Sequence, residues 1–386
     1  MGKLHSIQSL RAIAALLVFL CHLFAMEEVH AGRSEKLTSI WVNGAHGVDL
    51  FFVISGFVIV WVASDARPGW RGALDFLYAR IARIYPLWWL FAGATAIMLW
   101  IARGAPWNPE RMADHGMDGP THLIESLLLL PQAHHPVLGV GWTLVHEMYF
   151  YAAFAILILI LPARRRLTGL LVWSAIVLIG ASAGLTNVLA TTFVELIFYP
   201  MTLQFTAGAI VAYLIKANYR RFARACFVLG VAGWIAIYLD FDRSAASTLV
   251  VWFDMAETET ISIFWDRTVR YGIPAALLVY GLVAMELQAK TRASWQNPLV
   301  RVGDWSYALY LCHVPVISVT RKLIYDPFGA DQLWSVSAYL VFATIATFTV
   351  AGVTYHVFER RVIAFFKRYR WQRGRQNDLS VPAPAV

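Results

Sequence analysis

An all-α, multi-pass membrane fold follows from three features of the 386-residue chain. Hydrophobic residues make up 59% of it and charged residues only 15%, a balance far from that of soluble globular proteins. The mean hydropathy is +0.58, and the apolar residues gather into runs near the roughly 20 residues a helix needs to cross a bilayer. Lys and Arg, which produce a formal charge of +8, cluster between alternate runs, as the positive-inside rule requires.

Ten helices are predicted in order, over residues 7–25, 46–63, 84–102, 142–161, 168–186, 190–215, 225–240, 268–287, 303–320 and 335–357. The stretch HLIESLLLLP at 122–131 is too short to span and reads as an interfacial or re-entrant piece. No small-residue cleavage pattern follows the first run, so it is expected to stay as a signal anchor. An even number of spans puts both termini on one side. A single membrane domain is expected over 1–376, with a short polar tail, NDLSVPAPAV, at 377–386 whose composition favours disorder.

With a cytoplasmic N-terminus, the inner segments carry Arg67, Arg71, Arg80 and Arg83, then Arg164, Arg165 and Arg166, then Lys216, Arg220, Arg221 and Arg224. Lys290, Arg292, Arg301 and the tail from Arg360 to Arg375 fall on the same side. The outer side receives the 103–141 loop and an acidic stretch with Asp240, Asp242, Asp254, Glu257 and Glu259. Topology thus accounts for the pI near 9.4 and makes a nucleic-acid partner unnecessary. Cys21, Cys226 and Cys312 lie in or beside apolar runs without CxxC spacing, which supports neither a disulfide framework nor a zinc site. No metal is expected.

The polar residues inside these runs are the candidates for chemistry, because ionisable groups in a membrane are costly. Arg11 and His22 are eleven residues apart, which returns them to one helix face about 16 Å apart. A snorkelling Arg11 and a satisfied core His22 are the bland alternatives. Asp49 opens the second helix at the predicted level of His22 and is a candidate to orient its ring; its alternative is a helix N-terminal acid favoured by the dipole. Small residues at Ser55 and Gly56 suit close helix packing, and FVISGF lacks a nucleophile elbow. Arg80 and Arg83, one turn apart at the inner boundary beside Pro86, form a fork for phosphate oxygens. Glu147, amid Trp142, Tyr149, Phe150 and Tyr151, is the outstanding buried carboxylate and a candidate acid, base or partner for His22. His146 next to it reads as interfacial. His313, with Ser306, Tyr307 and Tyr310 below it, lies in the ninth helix. Convergence of His22, Glu147 and His313 leaves a weak metal alternative, since no HExxH is present. Trp142, Tyr151, Tyr310 and His313 are candidates for substrate contact. His134 and His135 are expected on the surface, Glu359 beside an inner arginine, and Trp107, Trp252 and Trp265 in outer loops.

Six stretches in order resemble the membrane acyltransferase family 3: IQSLRAIAALLVFLCHLF (7–24), GVDLFFVISGFVI (47–59), RIARIYPLWW (80–89), WTLVHEMYFY (142–151), SYALYLCHVPV (306–316) and FERR (358–361). That bacterial group O-acylates polysaccharides, lipopolysaccharide, peptidoglycan precursors and some secondary metabolites. The resemblance implies an inner-membrane transferase of about ten helices. Its donor would be acyl-CoA, usually acetyl-CoA, taken from the cytoplasm, and its acceptor a hydroxyl of an extracytoplasmic polysaccharide or lipid-linked sugar. It also implies the stand-alone branch, without a fused SGNH esterase-like domain. Matching positions carry the family roles of first-helix pair to Arg11 and His22, of acyl-CoA phosphate contacts to Arg80 and Arg83, and of essential carboxylate to Glu147.

These readings join into one expectation: donor phosphates at Arg80 and Arg83, pantetheine rising past Arg11, and His22 as base on the acceptor hydroxyl, oriented by Asp49 or Glu147. The rival from another class is a proton-coupled carrier or flippase, which intramembrane Arg, His and Glu also fit.

Overall fold

Each of the ten predicted spans falls on helix in the computed structural model, which describes residues 3–31, 41, 43–114, 116–186, 191–239, 262–289, 297–329 and 333–368. The helices are α1 (His5–Ala31), α2 (Gly47–Ala63), α3 (Trp70–Arg103), α4 (Pro109–Asp114), α5 (Gly119–Leu128), α6 (Trp142–Ile160) and α7 (Arg166–Ser182). They continue with α8 (Phe193–Ile197), α9 (Thr202–Lys216), α10 (Ala223–Leu239), α11 (Ser262–Gln288), α12 (Pro298–Phe328) and α13 (Leu333–Thr354). A π-turn, Tyr355–Glu359, prolongs α13. Among the described residues, eight segments are long and apolar enough to cross a membrane. The apolar α10 is shorter, and α12, at 31 residues, is long enough but more polar. The acidic stretch from Asp240 to Glu259, Trp252 and the tail at 377–386 lie outside the described residues.

Three element boundaries differ from expectation, each for a physical reason. Helix α3 begins at Trp70 rather than near 84, so Arg80, Arg83 and Pro86 all sit inside it. Pro86 removes one backbone donor there, and in the same turn the Tyr307 hydroxyl donates to the Ile84 carbonyl at 2.8 Å. Helix α11 likewise begins at Ser262 and takes in Trp265 and Arg267. The predicted 190–215 span is broken between α8 and α9 at Pro200, and α8 starts from a capping box in which Thr192 and Glu195 satisfy each other's backbone N–H.

Helix α2 is the most deeply buried of the candidate spans, as a helix apolar on every side must be. It packs along α9 at a crossing where only glycine fits. A Cβ on Gly56 would come 1.8 Å from the Phe205 carbonyl oxygen, and one on Gly208 would come 1.8 Å from that of Val53. The expected role of small residues in this stretch is therefore seen directly.

One end of the bundle is tied by polar contacts that bear out the alternating order of the spans. The Glu286 carboxylate accepts from the His5 and Ser6 backbone N–H groups at 2.9 and 2.8 Å, satisfying donors that open α1. Arg166 is buried and donates to the Ser64 and Ala66 carbonyls at 2.6 Å each. Lys216 lies 2.5 Å from both Ser64 Oγ and Asp65 Oδ2, and it holds the Asp65 carboxyl below its ordinary range. The starts of α1 and α7 thus meet the ends of α2, α9 and α11. The basic run at 164–166 contributes more than topological charge, because Arg166 closes the C-terminus of α2.

At the opposite end, the 122–131 stretch forms the non-spanning α5, which Leu129 terminates in a left-handed conformation with φ of 56°. Its last carbonyls are capped by α3: Trp88 Nε1 donates to Ser126, Trp89 Nε1 to Leu127 and the Tyr85 hydroxyl to Leu128, at 3.1, 2.9 and 2.7 Å. The RIYPLWW motif thereby anchors the outer loop. Trp107 packs against Gly119, where a Cβ would overlap its ring.

Candidate active site

A partly open cavity lies between α1, α2, α3, α6 and α12. Three guanidiniums line it, those of Arg11, Arg80 and Arg83, together with the carboxylate of Glu147. Its polar wall is completed by Ser55, Thr143, Tyr151, Ser306, Tyr307 and Tyr310, and its apolar wall comes mainly from α2. Because α3 starts early, Arg80 and Arg83 lie within this helix and line the chamber with Arg11. The expected sequence of levels, with phosphates below Arg11 and Glu147 high above, is corrected accordingly: all four charged groups face one chamber.

Within the chamber the charges are unevenly satisfied. No ion pair involves Arg11, Arg80 or Arg83 among the described residues. Arg11 has only a long 3.5 Å contact with Gln8 Oε1. Arg80 lies over the rings of Phe76 and Tyr151, 5.4 and 5.7 Å from their centroids, and its Nε is buried without a hydrogen-bond acceptor. Ser306 is fully buried, and its Oγ has no partner among the described residues. Glu359, expected to pair with an inner arginine, instead leaves Oε2 buried and unbonded; Arg83 and Arg11 act on it only through their fields. Three cations that share one lining carboxylate leave an excess of positive charge in an apolar bundle, which an anionic ligand would offset.

Glu147 is held by hydroxyl groups. Ser55 Oγ donates to its Oε1 at 3.1 Å, and the Tyr151 hydroxyl donates to the same oxygen. Neither His22 nor His313 contacts Glu147, so the three do not converge. The two histidines meet each other instead: His313 Nε2 lies 3.2 Å from His22 Nδ1, with the rings edge to face at 4.8 Å. Both are buried. Neither is among the residues that line the chamber; Tyr310, which does line it, has its ring 5.8 Å from that of His313. The Tyr310 hydroxyl donates to the Val140 carbonyl at 3.0 Å and lies 2.8 Å from Thr143 Oγ1.

Hydrogen bonds assign the tautomers of this pair. His313 Nδ1 is 3.2 Å from the Leu309 carbonyl, an acceptor only, so Nδ1 carries the proton and Nε2 is left to accept. His22 Nδ1 is 2.8 Å from the Val18 carbonyl and must carry its own proton, shared with His313 Nε2. The basic nitrogen of His22 is therefore Nε2.

Asp49 does not orient His22. It is fully buried, and its carboxylate is taken up by Arg267, at 3.1 Å and 3.0 Å from Nε, by Gln204 Nε2 at 2.6 Å and by His46 Nδ1 at 3.2 Å. A charge buried this deeply is tolerated only with such partners. Trp142 belongs to the same outer cluster, under the Arg267 guanidinium at 5.9 Å and beside the His146 ring at 5.6 Å. His146 and His134, expected at the surface or interface, are both buried. Sequence reasoning set Ser55 aside as a nucleophile, and its bond to Glu147 gives it a different use. It missed Arg267 and Gln204; the polar NH₂ and guanidinium groups opposite Asp49 were a signal only once the helices were paired.

The chain matches the profile of acyltransferase family 3, described as Acyltransferase domain, over residues 4–356. It is 29% identical over 376 residues to the Acyltransferase MdmB of Streptomyces mycarofaciens, an alignment that covers 92% of this chain and 90% of that protein. It is 32% identical over 301 residues to the Exopolysaccharide production protein ExoZ of Rhizobium meliloti (strain 1021), covering 75% and 81%. No solved structure matches the chain. The match to the family spans the whole chamber and the histidine pair, and it favours an enzyme over a carrier. This chain belongs to acyltransferase family 3 and is a multi-pass membrane acyltransferase.

Proposed function

We propose that the protein moves an acetyl group from cytoplasmic acetyl-CoA to a hydroxyl of an extracytoplasmic polysaccharide or lipid-linked sugar, from a bacterial inner membrane. The observation that carries this reading is the set of three arginines that share one chamber with a single carboxylate, Glu147, and make no ion pair among the described residues. Guanidiniums are the preferred ligands of phosphate oxygens, which they bind in bidentate fashion, and CoA brings several. The glycan acceptor is supported by the likeness to an exopolysaccharide production protein.

In this mechanism Arg11, Arg80 and Arg83 hold the donor phosphates. Glu147 Oε2 accepts a hydrogen bond from the amide N–H nearest the donor sulfur, which aligns the thioester. The acceptor hydroxyl gives its proton to His22 Nε2 while its oxygen adds to the thioester carbonyl carbon. Collapse of the tetrahedral intermediate breaks the C–S bond, the ester is released, and the imidazolium proton leaves with the thiolate as CoA thiol. The Val18 carbonyl and His313 together face the Nδ1 proton of His22 and hold the ring for this step, as the third member of a triad does.

The test is the ester content of surface glycans from cells with and without the protein, measured by mass spectrometry. Loss of an acetyl mass on a glycan hydroxyl is the expected result. Identical glycans in both strains, together with a missing ester on a small secreted metabolite, would replace the proposed acceptor class.

A further inference from the structure

Glu147 is the only carboxylate in the chamber lining, and it stands on α6 with free rotation about its side chain unless something fixes it. Two hydroxyls from different directions do so. Ser55 reaches it from α2 at 3.1 Å, and Tyr151 reaches it from the next turn of α6. Both donate to Oε1. That oxygen is thereby saturated, and Oε2 receives no hydrogen bond among the described residues. A carboxylate has about four acceptor sites, so the remaining capacity is directed at the chamber rather than at the protein.

The surroundings keep both donors in place. Ser55 is adjacent to Gly56, where α2 lies against α9 at the Phe205 carbonyl, so the backbone that carries its hydroxyl is held by that crossing. Tyr151 is buried, its ring edge to face with Phe76 at 6.1 Å and beneath the Arg80 guanidinium. The arginine that faces the donor phosphates therefore rests on the tyrosine that fixes the carboxylate. A shift in one is felt by the other.

We propose that Ser55 and Tyr151 are positioning residues, which clamp Glu147 Oε1 so that Oε2 alone addresses the acyl donor. This rests on the reading of Glu147 as the group that aligns the thioester. Serine serves here as a hydrogen-bond donor to a carboxylate, with no acyl group passing through it. Misalignment of a bound reactant slows the chemical step far more than it weakens binding, because the arginines supply the affinity.

The experiment measures kcat and donor KM for radiolabelled acetyl transfer from acetyl-CoA to base-deacylated surface glycan, using purified full-length protein in proteoliposomes. Ser55→Ala and Tyr151→Phe are each expected to lower kcat about tenfold, the scale of one lost hydrogen bond, with donor KM changed less than about threefold. Ser55→Thr, which keeps the hydroxyl, should restore most of kcat. A fold defect would lower the amount of active protein without this pattern of rescue, and Tyr151→Phe keeps the ring packing. Full kcat in both Ser55→Ala and Tyr151→Phe, with Glu147→Ala inactive, would overturn the clamp alone. Full activity in Glu147→Ala would remove the reading of Glu147 on which it rests.

Discussion

His313 Nε2 and His22 Nδ1 lie 3.2 Å apart across the interface of α12 and α1, and the contact can form only if His313 accepts the proton that His22 carries. The two residues are 291 positions apart in the chain. The Val18 carbonyl, at 2.8 Å, together with His313 and with no carboxylate, faces the Nδ1 proton of His22 and leaves its Nε2 basic. His313→Ala should lower transfer about 10- to 100-fold, the usual scale for removing a group that orients a histidine. His313→Gln, whose side-chain oxygen also accepts, should retain more activity than His313→Ala. Initial rates of the two variants check this, and equal rates would argue that His313 merely fills space.

The arginine chamber makes a prediction about affinity. Replacing Arg80 or Arg83 with Ala should raise donor KM about 10- to 100-fold, as expected for a charge-assisted hydrogen bond, and leave acceptor KM near its original value. Lys at either position should rescue only part of the loss, because it cannot bind a phosphate in bidentate fashion. Titration of rate against acetyl-CoA concentration separates these effects.

Asp49 and Arg267 make a prediction about stability instead. Breaking a buried pair strands a charge and costs about 3–5 kcal/mol, so Asp49→Ala should sharply lower the thermal midpoint and yield of the detergent-purified protein. The fraction that remains folded should keep its kcat. A variant with normal stability and no activity would return Asp49 to the catalytic apparatus.

The α2–α9 crossing gives a third kind of test. Gly56→Ala places a methyl group where the Phe205 carbonyl already stands, so the helices must part. Overpacking of this kind costs about 1–3 kcal/mol or more. Because Ser55 moves with Gly56, transfer should fall along with stability, and parallel melting and rate measurements check both.

Much of this architecture is legible in sequence, and the shortfalls have one physical origin. Apolar runs and basic loops located the eight candidate spans among the described residues, since bilayer thickness and membrane-side charge act on each helix separately. Hydropathy ends a span at a charge, however. It started the third helix at 84, one residue after Arg83, and the eighth at 268, one residue after Arg267. Both arginines lie inside helices: Arg267 is received by Asp49, and Arg83 lines the chamber. The same limit explains Asp49. The helix pattern set it at the level of His22, but an expected level does not determine which neighbour a carboxylate turns to. Arg267 lies 218 positions away, and only the packed bundle shows that it claims Asp49. Arg11, Arg80, Arg83 and Glu147 could be named from their cost inside a membrane, whereas their sharing of one chamber required the packing of five helices.

The most direct test of the central claim uses purified protein in proteoliposomes with radiolabelled acetyl-CoA on one side and base-deacylated surface glycan on the other. Wild-type protein should label the glycan and release one CoA thiol for each acetyl group transferred. His22→Ala should abolish both, and the double variant Arg80→Ala, Arg83→Ala should recover labelling only at much higher donor concentration. Glycan labelling that persists unchanged in His22→Ala would contradict the account.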